Sequence, residues 1–339
     1  MIKFSIVIPV YNRPDEVEEL LESLTKQTDK GFEVLVIEDG SSVPCEEICR
    51  KYEKQLDLHY YFKPNSGRSE TRNYGIERAT GDWFIIYDSD VIVPPQYIAT
   101  VRAELETNPV DCYGGPDAAD ASFSDVQKAI NYSMTSIMTT GGIRGATKNK
   151  SKFSPRSFNM GISRTCFETV GGYKNMIGED IDLSIRIQQA GFKTTLIPEA
   201  YVYHKRRVDL NKFFRQVNTF GKGRVLLGEM HPGSMKPVHL MPAAFVLGNI
   251  GLVLAALVLL VVSLLTSAFS PWWALLCLAP IVLYITGIFC ESLVKNKSLK
   301  IALLSIVAAY MQLFGYGTGF LGECITHKAR KKKQEELYK

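Results

Sequence analysis

The run Trp83-Phe84-Ile85-Ile86-Tyr87 is followed at once by Asp88-Ser89-Asp90, two carboxylates separated by one small residue. Five consecutive apolar residues bounded by polar ones suit a buried strand. Side chains at i and i+2 of an extended segment point the same way, so Asp88 and Asp90 are expected to converge while Ser89 turns aside. Converging carboxylates suit a hard divalent cation, which prefers oxygen ligands and keeps open positions for phosphate oxygens. The pattern therefore points to a metal-bound diphosphate at the end of a strand. Alone, Asp-x-Asp is common in surface turns, and its meaning depends on its surroundings.

Outward from this strand, the first half of the chain alternates short apolar runs with amphipathic stretches. That is the pattern of an α/β domain on a mostly parallel sheet. Phe4–Val10 reads as a first strand, and Pro14 opens a helix whose Val17, Leu20, Leu21 and Leu24 recur at helical spacing. Glu33–Ile37 and Leu58–Phe62 read as strands and Ser69–Ala79 as a helix, while Pro94-Pro95 start another helix that ends near Asn108. After Gly114-Gly115 the pattern loosens. Thr139–Ser157, rich in Gly, Lys, Ser and Thr, is expected to be a mobile loop or lid. Order returns at Asn159-Met160-Gly161-Ile162, then at a helix over Asp180–Ala190 and a strand over Thr194–Ile197.

Composition is uneven along the 339 residues. Residues 1–241 read as a globular domain. Residues 242–325 are strongly apolar, with Glu291, Lys295, Lys297, Lys300 and Glu323 as their only acidic or basic residues. Segments 243–265 and 272–290 have about the 20 residues that a bilayer crossing needs, joined by an uncharged link that suits a tight hairpin. Residues 301–324 are apolar enough to cross as well. A third crossing would carry the basic tail, 326–339, to the far side, against the positive-inside tendency. Gly315, Gly317, Gly319 and Gly322 are also expected to weaken a helix there. The reading adopted is two crossings and a re-entrant or interfacial element, with a cytoplasmic tail beside the anionic leaflet. Phe4–Val10 is too short for a signal peptide. The expected localisation is therefore the cytoplasmic membrane, multi-pass, with the globular domain in the cytoplasm. The net charge of +4 is concentrated in that tail, and no recognition motif accompanies it, so nucleic acid is not an expected partner. Seven cysteines, scattered without metal-ligand spacing, read as reduced thiols, Cys45 and Cys49 as two small residues of one helix.

Four further segments bear on the carboxylate pair. Ile37-Glu38-Asp39-Gly40-Ser41 ends the second strand, and ligands of open α/β sheets gather at the carboxyl ends of strands. Asp39 can accept from a nucleobase ring N–H while Gly40 admits a close backbone, although a plain strand-terminal turn would read the same. Asn65–Gly75 runs from loop into helix and sets backbone N–H groups beside Arg68 and Arg72, either an anion cradle or a solvated basic face. Gly178-Glu179-Asp180-Ile181-Asp182 opens an amphipathic helix. Asp180 there can take a proton from an attacking hydroxyl, or the carboxylates can simply cap the helix. His204, after Tyr201-Val202-Tyr203, is a candidate third metal ligand, though a lone histidine is more often structural.

In this order the segments resemble the family 2 glycosyltransferases of the GT-A fold, a Rossmann-like, mostly parallel sheet flanked by helices. Here a C-terminal transmembrane helical segment follows it. The resemblance covers about residues 4–224. It rests on Ser5-Ile6-Val7-Ile8-Pro9-Val10-Tyr11-Asn12, Glu38-Asp39-Gly40-Ser41, Arg72-Asn73-Tyr74-Gly75, Gly81-Asp82 with Asp88-Ser89-Asp90, and Gly178-Glu179-Asp180. It implies that Pro9, Tyr11 and Asp39 hold the nucleoside, with Asn12 and Asn65 in the same nucleotide site and Arg72 helping to hold nucleotide. It implies that Asp90 ligates Mn²⁺ or Mg²⁺ on the diphosphate, with Asp88 supporting metal and nucleotide. Asp180 maps to the base for inverting transfer, and Glu179 to a supporting or acceptor-side role. The second strand ends Glu-Asp where many members have Asp-Asp. The Gln-x-x-Arg-Trp segment of processive synthases is not matched in Arg215–Gly221. A Glu-Asp base implies a hydroxyl acceptor; dolichyl-phosphate-sugar synthases usually lack a clear one, because their phosphate acceptor is already ionised.

The expected function is thus metal-dependent, inverting transfer from a nucleotide-sugar donor, UDP- ahead of GDP-, to a hydroxyl of a membrane-held, lipid-linked saccharide acceptor in envelope or capsule polysaccharide assembly. A polyprenyl-phosphate sugar transferase and a processive polysaccharide synthase are the alternatives. More remote is a non-catalytic nucleotide-sugar-binding membrane scaffold.

Overall fold

A computed structural model describes residues 2–118, 123–141, 153–204, 209–266 and 270–337, with side chains as far as 327 in the last stretch. The chain forms two compact units, Met1–Ala121 with Thr147–Lys205, and Ser122–Ala146 with Arg206–Lys339.

The first unit opens β1 (Phe4–Val10), α1 (Pro14–Thr25), β2 (Phe32–Asp39), α2 (Glu46–Tyr52), β3 (Asp57–Lys63), α3 (Arg68–Ile76), β4 (Trp83–Tyr87) and β5 (Val91–Ile92). It continues α4 (Tyr97–Thr107), β6 (Cys112–Gly114) and β7 (Asp117–Ala118). The chain then supplies α5 (Asp125–Thr135) and α6 (Ile137–Thr140) to the second unit. It returns as β8 (Asn159–Ser163), α7 (Arg164–Val170), α8 (Glu179–Gln189), β9 (Thr194–Leu196) and β10 (Val202–His204). Seven strands form one sheet in the order β3-β2-β1-β4-β8-β6-β9, and β5-β10-β7 form a small second sheet. The pairs β3–β2, β2–β1, β1–β4 and β6–β9 are parallel; β8 runs antiparallel to both β4 and β6.

Both faces of the sheet are covered, which is why β1, β2 and β4 read as continuous apolar runs rather than alternating ones. Ile6, Ile8, Val34 and Val36 pack with Val17, Leu20, Leu21 and Leu24 of α1 on one face. Val7, Leu35, Ile37 and Ile86 pack with Ile76, Leu183 and Ile187 of α3 and α8 on the other. Gly75 lets α3 lie close, since a Cβ there would meet Val7 Cγ1 at 2.6 Å and Ile37 Cγ1 at 2.9 Å. The geometry around the carboxylate pair departs from expectation. β4 stops at Tyr87, and Asp88-Ser89-Asp90 lies beyond it and turns the chain into β5. The carboxylates converge through that turn and not through strand alternation.

The second unit joins α5 and α6 to α9 (Leu210–Met230), α10 (Met241–Thr266), α11 (Trp272–Asn296) and α12 (Leu299–Leu337). Of the loop expected over Thr139–Ser157, residues 142–152 lie outside the described residues, and Ile137–Thr140 is a helical turn instead. α5 is tied to α11 by Tyr132 and Ser136, whose hydroxyls donate to Glu291 at 2.8 and 2.7 Å. By length and composition, Met241–Thr266, Trp272–Asn296 and Leu299–His327 can each cross a membrane. Leu247, Leu254, Val258 and Leu264 of α10 and Leu276 and Leu283 of α11 are exposed, apolar surface of the kind lipid covers.

The expectation that the glycines of 315–322 weaken a helix is corrected, because α12 runs unbroken through them. A Cβ on Gly315 would press on Val217 of α9, one on Gly317 on Pro242 of α10, and one on Gly319 on the Asn218 carbonyl of α9. Reciprocally, a Cβ on Gly221 of α9 would strike the Tyr316 carbonyl. Small residues here let helix backbones approach, the usual means of packing helices where lipid removes the hydrophobic drive between them. Gly319→Leu is expected to lower stability by about 1–3 kcal/mol through overpacking, seen as a reduced thermal midpoint of the detergent-solubilised protein; an unchanged midpoint would show that the close approach is dispensable.

Candidate active site

The carboxyl ends of β1, β2 and β4 carry a concentration of charged side chains, each held by a named partner. Asp88, Asp90 and His204 come together so that one ligand atom of each lies within 4.8 Å of the others. β10 delivers His204 by pairing with β5, the strand that follows the Asp-x-Asp turn. His204 Nε2 lies 3.1 Å from Asp90 Oδ1, and its ring stacks on Phe158. Its buried Nδ1 has no partner among the described residues. Two carboxylates and one imidazole form an oxygen-rich donor set that fits Mn²⁺ or Mg²⁺ with sites left for other oxygens. Arg13 Nη1 donates to the second oxygen of Asp90 at 2.7 Å. Burial pushes Asp90 up, but His204 and Arg13 outweigh it and hold the carboxyl far below its ordinary range.

The Arg-Asn-Tyr-Gly motif ties this cluster to the helix carrying Asp180. Arg72 is buried, with Nη2 donating to Asp88 Oδ1 at 2.9 Å and Nη1 to Glu179 Oε1 at 3.0 Å. Burial disfavours its charge, yet Asp88, Tyr173 and Glu179 together raise its pKa further. Arg68 grips Glu179 through Nε at 2.6 Å and Nη2 at 2.7 Å. Asn73 donates through Nδ2 to the Tyr173 carbonyl at 2.8 Å and accepts through Oδ1 from the Tyr173 N–H at 2.9 Å, anchoring the segment before α8. Arg72 was read from the sequence as a nucleotide contact; here its guanidinium braces two carboxylates from different elements.

Asp180 accepts from its neighbour Ile181 N–H at 2.8 Å and from Arg156 Nη1 at 3.2 Å. Burial pushes Asp180 up, and Arg156 and Arg72 more than reverse this, so it stays ionised at neutral pH. Arg156 escaped the sequence reading because it falls in the stretch taken for a loop.

Asp39 ends β2 as a clamp on the next loop. Its Oδ1 accepts from Lys63 Nζ at 2.6 Å and Ser66 N at 2.9 Å, and its Oδ2 from Gly67 N at 2.9 Å. Burial again raises its pKa and these bonds lower it on balance. Asn65 Nδ2 donates to the Asp39 carbonyl at 2.8 Å. Gly40, with φ of +69°, meets the Asn65 backbone so closely that a Cβ would lie 2.6 Å from its nitrogen. Glu38 is buried and accepts from Ser41 Oγ and from Cys45 N–H. Asn12 uses its Oδ1 to accept from Ser42 N and Val43 N at 2.9 and 3.1 Å, while Tyr11, just after Pro9, is 54% exposed.

A mostly parallel sheet with a metal-ready carboxylate turn at its carboxyl edge is the GT-A architecture. Residues 5–171 match the family model described as Glycosyl transferase family 2. An uncharacterised glycosyltransferase of Rickettsia felis is 41% identical over 88 residues, 26% of this chain and 15% of that protein. The chain thus spans only a small part of the first relatives it matches. The mannosyltransferase PcManGT from Pyrobaculum calidifontis, solved with GDP-Man and Mn²⁺, aligns with a TM-score of 0.62 at 17% identity, covering 92% of this chain and 87% of that one. S. aureus TarS 1–349, solved with UDP-GlcNAc, aligns at 0.50 and 16% identity, covering 94% and 90%. At such identities the likeness speaks for fold alone. Residues 5–171 thus form a glycosyltransferase family 2 domain.

Replacing Arg72 by Met leaves two carboxylates without their buried cation, and the expected cost is roughly 3–5 kcal/mol of stability, checked by denaturant unfolding. A loss below about 1 kcal/mol would mark the brace as inert. Asp39 carries a depressed folded pKa, so its contribution is complete above the unfolded value near about 3.9 and is lost as pH falls through the folded value. The stability gap between wild type and Asp39→Asn is therefore expected to be constant from neutral pH down to about 5 and to shrink below about 4.

Proposed function

We propose that this chain is a metal-dependent, inverting glycosyltransferase of the cytoplasmic membrane, with residues 1–241 as its transferase domain, 242–325 as its membrane region and 326–339 as its tail. The observation that carries the reading is the Arg72 bridge: one buried guanidinium touches both Asp88 and Glu179, the neighbours of the metal-site and base carboxylates. Asp88, Asp90 and His204 would hold a divalent cation, which when bound neutralises charge on the departing diphosphate. The neighbour solved with Mn²⁺ supports metal use, without separating Mn²⁺ from Mg²⁺.

Asp180 takes the proton of the acceptor hydroxyl. Its ionised state is the one a base requires, but Arg156 lowers its basicity; an acceptor that draws Arg156 away returns basicity when the hydroxyl arrives. Asp39 favours uracil. Lys63, Ser66, Gly67 and Thr71 already bond its carboxylate, so a nucleobase N–H enters by replacing one of them. The single ring N–H of uracil needs one such exchange, the paired N–H groups of guanine two. The neighbours were solved with GDP-Man and UDP-GlcNAc, so the fold accommodates either base.

The acceptor is a membrane-held, lipid-linked saccharide of envelope or capsule assembly, supported by the apolar helices that follow the transferase domain. α10 and α11 cross the bilayer. α12 lies at the interface, a reading supported by its Gly315 and Gly319, which seat on α9, a helix carrying Lys212, Arg215, Lys222 and Arg224. This arrangement keeps the basic tail cytoplasmic.

Nucleoside diphosphate release from UDP- and GDP-sugars, with detergent-solubilised protein and lipid extract, tests the reading. Release is expected from a UDP-sugar, only with metal and extract, and to fall about 100-fold or more in Asp180→Asn. Unchanged turnover in that variant would remove Asp180 as base and bring a phosphate acceptor forward. Turnover undiminished by EDTA would overturn the metal dependence.

A further inference from the structure

The loop between β1 and α1 holds a cation against the same carboxylate that the metal is expected to use. Asn12 adopts a left-handed backbone, φ 53°, which Asn tolerates better than most other residues. Its N–H donates to Ser41 Oγ at 2.7 Å, and its Oδ1 holds the 42–43 backbone. Pro14 fixes the next position as the first residue of α1. The backbone of Arg13, between the two, is thereby held in place. Its guanidinium reaches Asp90 Oδ2 at 2.7 Å, while His204 takes Oδ1 at 3.1 Å. Both oxygens of the central carboxylate in the Asp88, Asp90 and His204 cluster are therefore engaged by side chains of the chain itself. A guanidinium and a divalent ion on one carboxylate repel each other at contact distance, so each weakens the hold of the other.

We propose that Arg13 is the resident counter-cation of the metal site: it keeps Asp90 in ligand position, yields the carboxylate to the incoming metal, and turns to the diphosphate that arrives with it. The planar guanidinium fork matches phosphate oxygens as well as it matches a carboxylate, and Arg13 is only part-buried, with room to swing. A metal arriving alone must displace Arg13 and offers it nothing in return, beyond Glu16 at 4.0 Å. A metal with a diphosphate supplies the replacement partner. Metal and diphosphate thus bind as a coupled pair, and Arg13 is a positioning residue for both.

This inference rests on the metal-dependent reading and is tested by binding, without turnover. Mn²⁺ alone and preformed Mn²⁺–pyrophosphate are titrated calorimetrically into the detergent-solubilised full chain, as wild type, Arg13→Gln, Arg13→Lys and Asp90→Asn. Arg13→Gln is expected to bind Mn²⁺ alone about tenfold more tightly than wild type and Mn²⁺–pyrophosphate about tenfold more weakly, within the usual range of coupling between sites. Arg13→Lys keeps the competing charge, so its affinity for Mn²⁺ alone stays near wild type while pyrophosphate coupling falls with the lost fork. Equal or weaker binding of Mn²⁺ alone by Arg13→Gln, with Asp90→Asn still abolishing it, overturns the role of Arg13 and leaves the metal site standing. Mn²⁺–pyrophosphate binding that survives Asp90→Asn undiminished, or is absent from wild type, overturns the metal reading and this inference with it. Thermal midpoints establish that each variant is folded. Should Arg13→Gln fail to fold, Arg13→Lys decides alone: Mn²⁺–pyrophosphate affinity equal to wild type overturns the exchange.

Discussion

The candidate site depends on a single buried guanidinium. Arg72 leaves α3 and contacts Asp88, beyond the end of β4, and Glu179, at the start of α8. A charge taken out of water is costly unless its partners are well placed, and those partners come from segments far apart in sequence. Arg68 completes the coordination of Glu179 from the rim. The three elements can therefore shift only together. The carboxylate turn and the helix bearing Asp180 keep a fixed separation, the kind of positioning on which transfer chemistry relies.

The same logic recurs around it. Asp90 faces Arg13, Asp39 faces Lys63, and Asp180 faces Arg156. Each of these three carboxylates is neutralised and oriented by a cation of the chain itself, and each has its pKa lowered on balance against the opposing pull of burial, Asp90 by His204 together with Arg13. Such a site is ionised and oriented before any ligand arrives. Ligands must then bind by exchange, replacing a resident cation or hydrogen bond with one of their own, which favours ligands bringing matching charge over those that merely fit.

The second unit solves a different packing problem. Its helices meet through glycines and small residues, with backbone carbonyls of α9 and α10 where side chains would otherwise stand. Where polar groups are enclosed, they are paired across helices, as with Ser292 and Ser305 at 2.7 Å and with Glu291 beneath Tyr132 and Ser136. Glycine lowers helix propensity locally, but a close interface returns more than the propensity loses, since propensity is a weak prior beside tertiary contact.

The architecture was legible in the sequence: doubly covered strands show as unbroken apolar runs, and β1, β2 and β4 were legible to within a residue or two because Phe4–Val10 and Trp83–Tyr87 are short, rich in β-branched and aromatic residues and bounded by polar ones. It also singled out Asp88, Asp90, His204 and Asp180, since carboxylates beside strand ends and helix starts are conspicuous against an apolar background. Only the tertiary structure decided which cations those carboxylates face. Arg13, Lys63 and Arg156 stand 77, 24 and 24 residues from their partners, a pairing that no local periodicity encodes. The Asp-x-Asp turn and the unbroken α12 differ from expectation because contacts with distant elements set their shape. The helix α5 was legible locally, since Ser124 and Gln127 form a capping box at its start.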